Sequence, residues 1–131
     1  MKFTADTNIL IRSAVRDNKE QSLAADKILK EASLIAVSLP CLCEFAWVLH
    51  KLYGFDNKSI AAAIRTLAAT EKVAMNRPAV DAGLAVLEVG GDFADGVIAY
   101  EGSWLGAETF VSFDKKAVSL LVGQGVKARL P

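Results

Sequence analysis

Histidine is almost absent from this sequence: His50 is the only one in 131 residues. That excludes the paired-histidine chemistry of metal-independent ribonucleases and any His-rich metal motif. No Ser/His/Asp set and no phosphate-gripping glycine loop stands out either. The two cysteines, Cys41 and Cys43, lie two apart inside an expected helix. That spacing points their side chains to different faces, so they cannot bridge each other. Both are expected to be buried structural thiols. Charges interrupt every apolar run well short of the ~18 residues that a membrane span needs. The opening MKFTADTNIL carries polar Asp-Thr-Asn where a secretory signal would have its apolar core, so a cytoplasmic protein without membrane association is expected.

Excess charge of one sign is also missing, because 15 Lys and Arg balance 15 Asp and Glu. A neutral sum neither requires nor forbids a nucleic-acid partner, since distribution matters more than total. If five acids share one pocket, the rest of the surface holds more bases than acids. What is abundant is apolar surface: 53% of residues are hydrophobic and mean hydropathy is +0.32. In so short a chain this surplus predicts a face covered by another subunit.

Short apolar segments alternate with helical periodicity along the chain. Strands are expected at Lys2–Ala5, Leu34–Val37, Lys72–Met75, Thr109–Ser112 and Val126–Leu130. Ser38 and Pro40 predict the start of a long helix that runs to Tyr53 and ends at Gly54. Asp56 or Asn57 caps the next helix, through Ala69. Pro78 opens another to about Val89. Gly90-Gly91 breaks the chain before a helix over Asp95–Leu105, and a short helix follows over Lys115–Leu121. No hairpin turn joins successive strands, and no repeats or long linkers appear. The expectation is a single α/β domain over residues 1–131, with a central, largely parallel sheet of about five strands flanked by helices.

In such a sheet, ligands bind beyond the carboxyl ends of the strands. Asp6 follows the first strand and Asp114 the fourth, although each also suits a helix N-cap. Glu44 borders the expected core stripe Leu42, Phe45 and Leu49, and shares its own stripe with Cys41, Val48 and Leu52. A glutamate so placed needs a basic residue or a cation as partner. Asp92 suits a cap, whereas Asp95 shares a face with Ile98, Ala99 and Gly102, a small-residue stripe expected to pack against the sheet. Two carboxylates about 4 Å apart repel by roughly 4 kcal/mol at an effective dielectric near 20. Converging acids therefore need protonation or a hard cation such as Mg²⁺ or Mn²⁺, which activates a bound water and clamps phosphoryl oxygens.

Four fragments resemble the PIN-domain nucleases, and within them the VapC-type toxins of toxin–antitoxin pairs. They are F-T-A-D-T-N-I-L-I-R from Phe3 to Arg12, C-E-F-A-W-V-L from Cys43 to Leu49, D-F-A-D-G-V-I-A from Asp92 to Ala99, and T-F-V-S-F-D-K-K from Thr109 to Lys116. Each is modest alone; their order and spacing make the resemblance, which covers the whole chain. It implies a PIN-like sheet flanked by helices, an acidic pocket holding Mg²⁺ or Mn²⁺, endonucleolytic cleavage of RNA, homodimerisation and inhibition by a cognate antitoxin. By position it assigns the catalytic, metal-binding acids to Asp6, Glu44, Asp95 and Asp114. Asp92 matches an additional acid of many such toxins, and Asn8 and Ser112 match supporting polar positions. Gly96 departs from the pattern, which usually has alanine after the third acid.

The basic residues nearest these positions in sequence, Arg12, Arg16, Lys115 and Lys116, are the candidates for gripping RNA. An antitoxin is expected to insert an Arg or Lys among the acids, with Phe45, Trp47 and Tyr53 as possible seats for its apolar residues. Two other readings stay open: a PIN nuclease that processes RNA or cuts DNA without an antitoxin, and a non-catalytic PIN-like binding module. A phosphotransferase built on Asp6 would want a second aspartate where this chain has Asn8.

Overall fold

The computed structural model describes all residues, 1–131, as seven helices and five strands. In chain order these are β1 (Lys2–Thr4), α1 (Thr7–Ala14), α2 (Lys19–Glu31), β2 (Leu34–Ala36), α3 (Leu39–Tyr53), α4 (Asn57–Ala69), β3 (Val73–Ala74), α5 (Arg77–Glu88), α6 (Phe93–Trp104), β4 (Phe110–Val111), α7 (Lys115–Gly123) and β5 (Ala128–Arg129). No helix is long and apolar enough to cross a membrane. The chain forms two compact units, Met1–Asn76 and Arg77–Pro131.

The expected central sheet of about five strands is not what forms. The chain is 63% helix, and its strands fall into two small sheets, β1-β2-β3 in the first unit and β4-β5 in the second. Each pairing is parallel, as the lack of hairpin turns requires. The physical reason for the reduced sheet lies in the caps. Ser38 accepts a hydrogen bond from the Cys41 amide two residues beyond β2, and Asp114 accepts one from the Ala117 amide three residues beyond β4. Helix therefore takes over before a third or fourth ladder rung can add.

In the first unit, Phe3 registers with Ile35, and Ile35 with Val73. The Ala5 amide donates to the Ala36 carbonyl and the Val37 amide to the Ala74 carbonyl, so β1 and β2 end at the same edge. The N-termini of α1 and α3 leave that edge together. Leu42, Phe45 and Leu49 on α3 are almost fully buried, and α3 packs on both α1 and α4. Gly54 ends α3 in the left-handed region (φ 68°), which glycine enters without a Cβ clash. Lys72, just before β3, donates from Nζ to the carbonyls of Leu29 and Lys30, closing the C-terminal end of α2.

In the second unit, α5 and α6 pack closely along their length. The buried residues of α6 are Phe93, Gly96 and Val97. The stripe of Ile98, Ala99 and Gly102 is not the packed face, and Ile98 is 54% exposed. Phe93 is completely buried and leans on Gly83, where a Cβ would sit 2.6 Å from its ring. A Cβ on Gly96 would lie 2.3 Å from the Ala82 carbonyl oxygen and 2.8 Å from the Gly83 Cα. Gly96 is thus the point where two helix backbones touch. Gly96→Ala gains about 1 kcal/mol of helix propensity, but it must force the two backbones apart, at a typical overpacking cost of about 1–3 kcal/mol. A net loss of stability is expected in denaturant titration, and an unchanged or raised midpoint would refute the close crossing.

Candidate functional site

The acids singled out from sequence form one set in each unit. In the first, Asp6 occupies the N-cap position of α1 with extended backbone angles, yet its side chain makes no capping hydrogen bond. The cap explanation for Asp6 therefore fails, and its carboxylate is exposed at the end of β1. The next residue, Thr7, is buried and its Oγ1 donates to Cys41 Sγ at 3.7 Å, tying the start of α1 to the first turn of α3. Burial pushes the Cys41 thiol above its ordinary value; the Thr7 hydroxyl opposes this, and the negative charges of Asp6 and Glu44 add to it. Both carboxylates thus act on a common thiol. Glu44 pairs with no basic residue, but it is also exposed, so the burial cost expected for it is not incurred. Asn8 is exposed beside Asp6.

Cys41 and Cys43 form no disulfide, as their spacing on α3 dictates. Only Cys41 is buried, and Cys43 is partly accessible, which corrects the expectation of two buried thiols.

In the second unit, Asp92 sits at the N-cap of α6 without a side-chain cap bond, and Asp95 lies in the first turn of that helix. Asp114 caps α7: its Oδ1 accepts from the Ala117 amide at 3.0 Å, while its own amide donates to Ser112 Oγ at 3.0 Å. Cap and candidate-site readings of Asp114 are compatible, because the cap bond uses one oxygen. The Asp95 carboxyl is half-buried and held above its ordinary value, first by burial and then by the charges of Asp92 and Asp114. Asp92, Asp95 and Asp114 are therefore within electrostatic reach of one another through Asp95. An apolar cleft of about 640 Å³ also opens in this unit, lined by residues that include Ala82, Gly96, Tyr100, Phe110 and Leu121. None of the three acids lines it.

Within neither unit do three His, Cys, Asp or Glu side chains close to the spacing of a ready-made metal cage. Carboxylate oxygens are nonetheless the donors that Mg²⁺ prefers, and Mg²⁺ usually takes one or two carboxylates while keeping several waters. The chemistry of the donors in the Asp92, Asp95 and Asp114 group fits that mode of binding.

The basic candidates differ from one another. Arg12 pairs with Asp17 and Arg16 with Asp26, each at 2.8 Å. The Asp26 bond raises the Arg16 guanidinium further above its ordinary value, and Arg16 in turn lowers the Asp26 carboxyl. Lys115 and Lys116 are exposed and make no ion pair. Two residues escaped the sequence reading: Thr7, whose signal is a hydroxyl directly after Asp6, and Phe113, an aromatic set among polar residues in Ser-Phe-Asp-Lys-Lys. Phe113 is 87% exposed.

Comparison of the chain with known protein families and with curated proteins finds no match to either.

The state of Asp95 has a measurable consequence. The folded chain holds its proton more tightly than the unfolded chain does, so stability falls as pH rises from the ordinary value of 3.8 through the raised one. The full cost persists at neutral pH. In the absence of divalent metal, Asp95→Asn is expected to melt higher than the parent at pH 7, and the difference should vanish near about pH 3. Equal melting temperatures at both pH values would show that Asp95 carries no such penalty.

Proposed function

We propose that the chain is a Mg²⁺- or Mn²⁺-dependent endoribonuclease that hydrolyses RNA phosphodiester bonds as the toxin of a toxin–antitoxin pair. The observation that carries this reading is Asp95, a half-buried carboxyl crowded by Asp92 and Asp114 with no basic side chain to neutralise it. Such crowding is relieved by a hard divalent cation. When bound, the ion would supply Lewis acidity toward a phosphoryl oxygen and a water acidic enough to act as nucleophile. Asp95, together with Asp92 or Asp114, would hold it in the second unit, with waters filling the remaining positions.

Asp6 and Glu44 support the reading from the first unit, since neither is spent on a cap or an ion pair. Ser112 Oγ positions the Asp114 backbone, which fits a supporting role. Lys115 and Lys116 stand beside Asp114 as phosphate contacts, while Arg12 and Arg16 are already engaged with carboxylates. Those pairs lie in solvent, where water and salt screen them, and would not prevent either guanidinium from turning to a phosphate. The toxin assignment itself rests on the four sequence fragments, which retain all four acids although the sheet expected with them is reduced. Phe45 is in the core, so an antitoxin's apolar residues would meet Trp47, which is 54% exposed, and not Phe45.

Asp6→Asn and Asp95→Asn should each abolish cleavage of RNA in Mg²⁺ or Mn²⁺ while the protein stays folded. Undiminished cleavage by either variant would overturn the assignment. Millimolar Mg²⁺ should also raise the melting temperature of the parent over that in chelator, and do so less for Asp95→Asn. A second prediction concerns assembly. Trp104 and Leu105 are each more than four-fifths exposed, and we expect a homodimer burying at least about 1,000 Å². Light scattering at micromolar concentration should report twice the monomer mass.

A further inference from the structure

Phe113 is the most exposed large apolar side chain in the protein, at 87%. A phenylalanine left in water forgoes about 1.5–3 kcal/mol of burial, and its segment is not loose. The Asp114 amide bonds back to Ser112 Oγ and the Asp114 carboxylate caps α7, so the backbone on both sides of Phe113 is pinned. The ring is thereby presented to solvent by a fixed turn. It adjoins Asp114, which lies within electrostatic reach of Asp95, and it precedes Lys115 and Lys116.

The two lysines are as poorly explained by stability as the ring. They occupy the first two positions of α7, which has no acidic residue in its first turn. Cations there oppose the helix dipole, and no carboxylate pairs with them. An exposed ring followed by two unpaired ammonium groups suits one occupant well. Single-stranded RNA offers an unstacked base to the ring and two phosphates to the lysines. A duplex keeps its base faces covered, so it can use the lysines but not the ring.

We propose that Phe113 is a base-stacking platform, with Lys115 and Lys116 as its phosphate contacts, selecting single-stranded RNA next to Asp114. This rests on the nuclease reading for its RNA, but it concerns binding and can be tested apart from cleavage.

The measurement is fluorescence anisotropy of a labelled single-stranded oligoribonucleotide and its duplex, with the full chain in chelator so that nothing is cut. The parent should favour the single strand. Phe113→Ala should weaken single-strand binding by about 5- to 150-fold and leave the duplex unaffected, the range expected for the loss of one stacked base. Phe113→Trp should restore binding, which a change in folding would not do. Because the ring is exposed, the alanine variant should melt with the parent. Lys115→Gln with Lys116→Gln should flatten the dependence of log affinity on log salt by about 1.4, at about 0.7 per phosphate.

Equal affinity of Phe113→Ala and the parent for the single strand overturns the platform. So does a variant whose assembly state changes while its RNA binding does not, which would make the ring a protein contact. Ring-dependent binding with no cleavage in Mg²⁺ or Mn²⁺ would sink the nuclease reading and leave this one standing. Cleavage with unaltered kcat/KM in Phe113→Ala would do the reverse.

Discussion

The burial of one face of α3 constrains the first unit more than any other interaction. Leu42, Phe45 and Leu49 sit within 1% of complete burial, and α1 and α4 both pack on the helix that carries them. Each such side chain contributes about 1.5–3 kcal/mol on leaving water, so the rotation of α3 about its axis is not free. That rotation decides the chemistry at its border. It brings Cys41 inward to meet Thr7, leaves Glu44 at the surface, and turns Trp47 to solvent. The parallel ends of β1 and β2 complete the arrangement by starting α1 and α3 from the same edge, which is how Asp6 and Glu44 come to act on one thiol.

The electrostatics of the chain are better described by pairing than by total charge. Arg12 with Asp17 and Arg16 with Asp26 are exposed ion pairs of the kind that contribute little. The acids at the candidate sites are treated differently: Asp6, Glu44, Asp92 and Asp95 have neither a basic partner nor a cap to stabilise. Asp95 is the most telling, because its partial burial raises the cost of its charge while Asp92 and Asp114 add to that cost. Arrangements that hold like charges together against their own repulsion are characteristic of functional sites.

Legibility from sequence followed the range of the interactions. Local signals performed well: Ser38 and Gly54 bound α3, Asp56 caps α4, and every expected strand and helix exists within a few residues. What failed was length and long-range association. The four-residue segments around Ile35 and Val111 read as strands, but their caps leave room for only two or three rungs, and no periodicity rule reports how strands group into sheets. The inward face of α6 was misjudged because Ile98, Ala99 and Gly102 look packable on a helical wheel. The actual choice was made by Gly83 and Gly96, whose missing Cβ atoms permit the crossing of α5 and α6. Gly96 could be recognised as a departure from a pattern, though its reason is visible only in three dimensions. Glu44 was placed correctly at the edge of the core, yet helix periodicity could not distinguish a buried border from an exposed one.

The parallel connectivity of the first sheet also bears on the order in which the protein assembles. Phe3 must find Ile35, and Ile35 must find Val73, each across more than thirty intervening residues and two helices. Chain entropy is lost in closing those loops before any ladder bond rewards it. The helix pair α5–α6, by contrast, is joined by four residues, Val89 to Asp92, and gains its contacts as soon as the turn forms. The C-terminal helices are thus kinetically cheap and the N-terminal sheet is slow. On the ribosome, the part that emerges first would then wait for its last strand, at Val73, while the part that emerges last needs only its own neighbours.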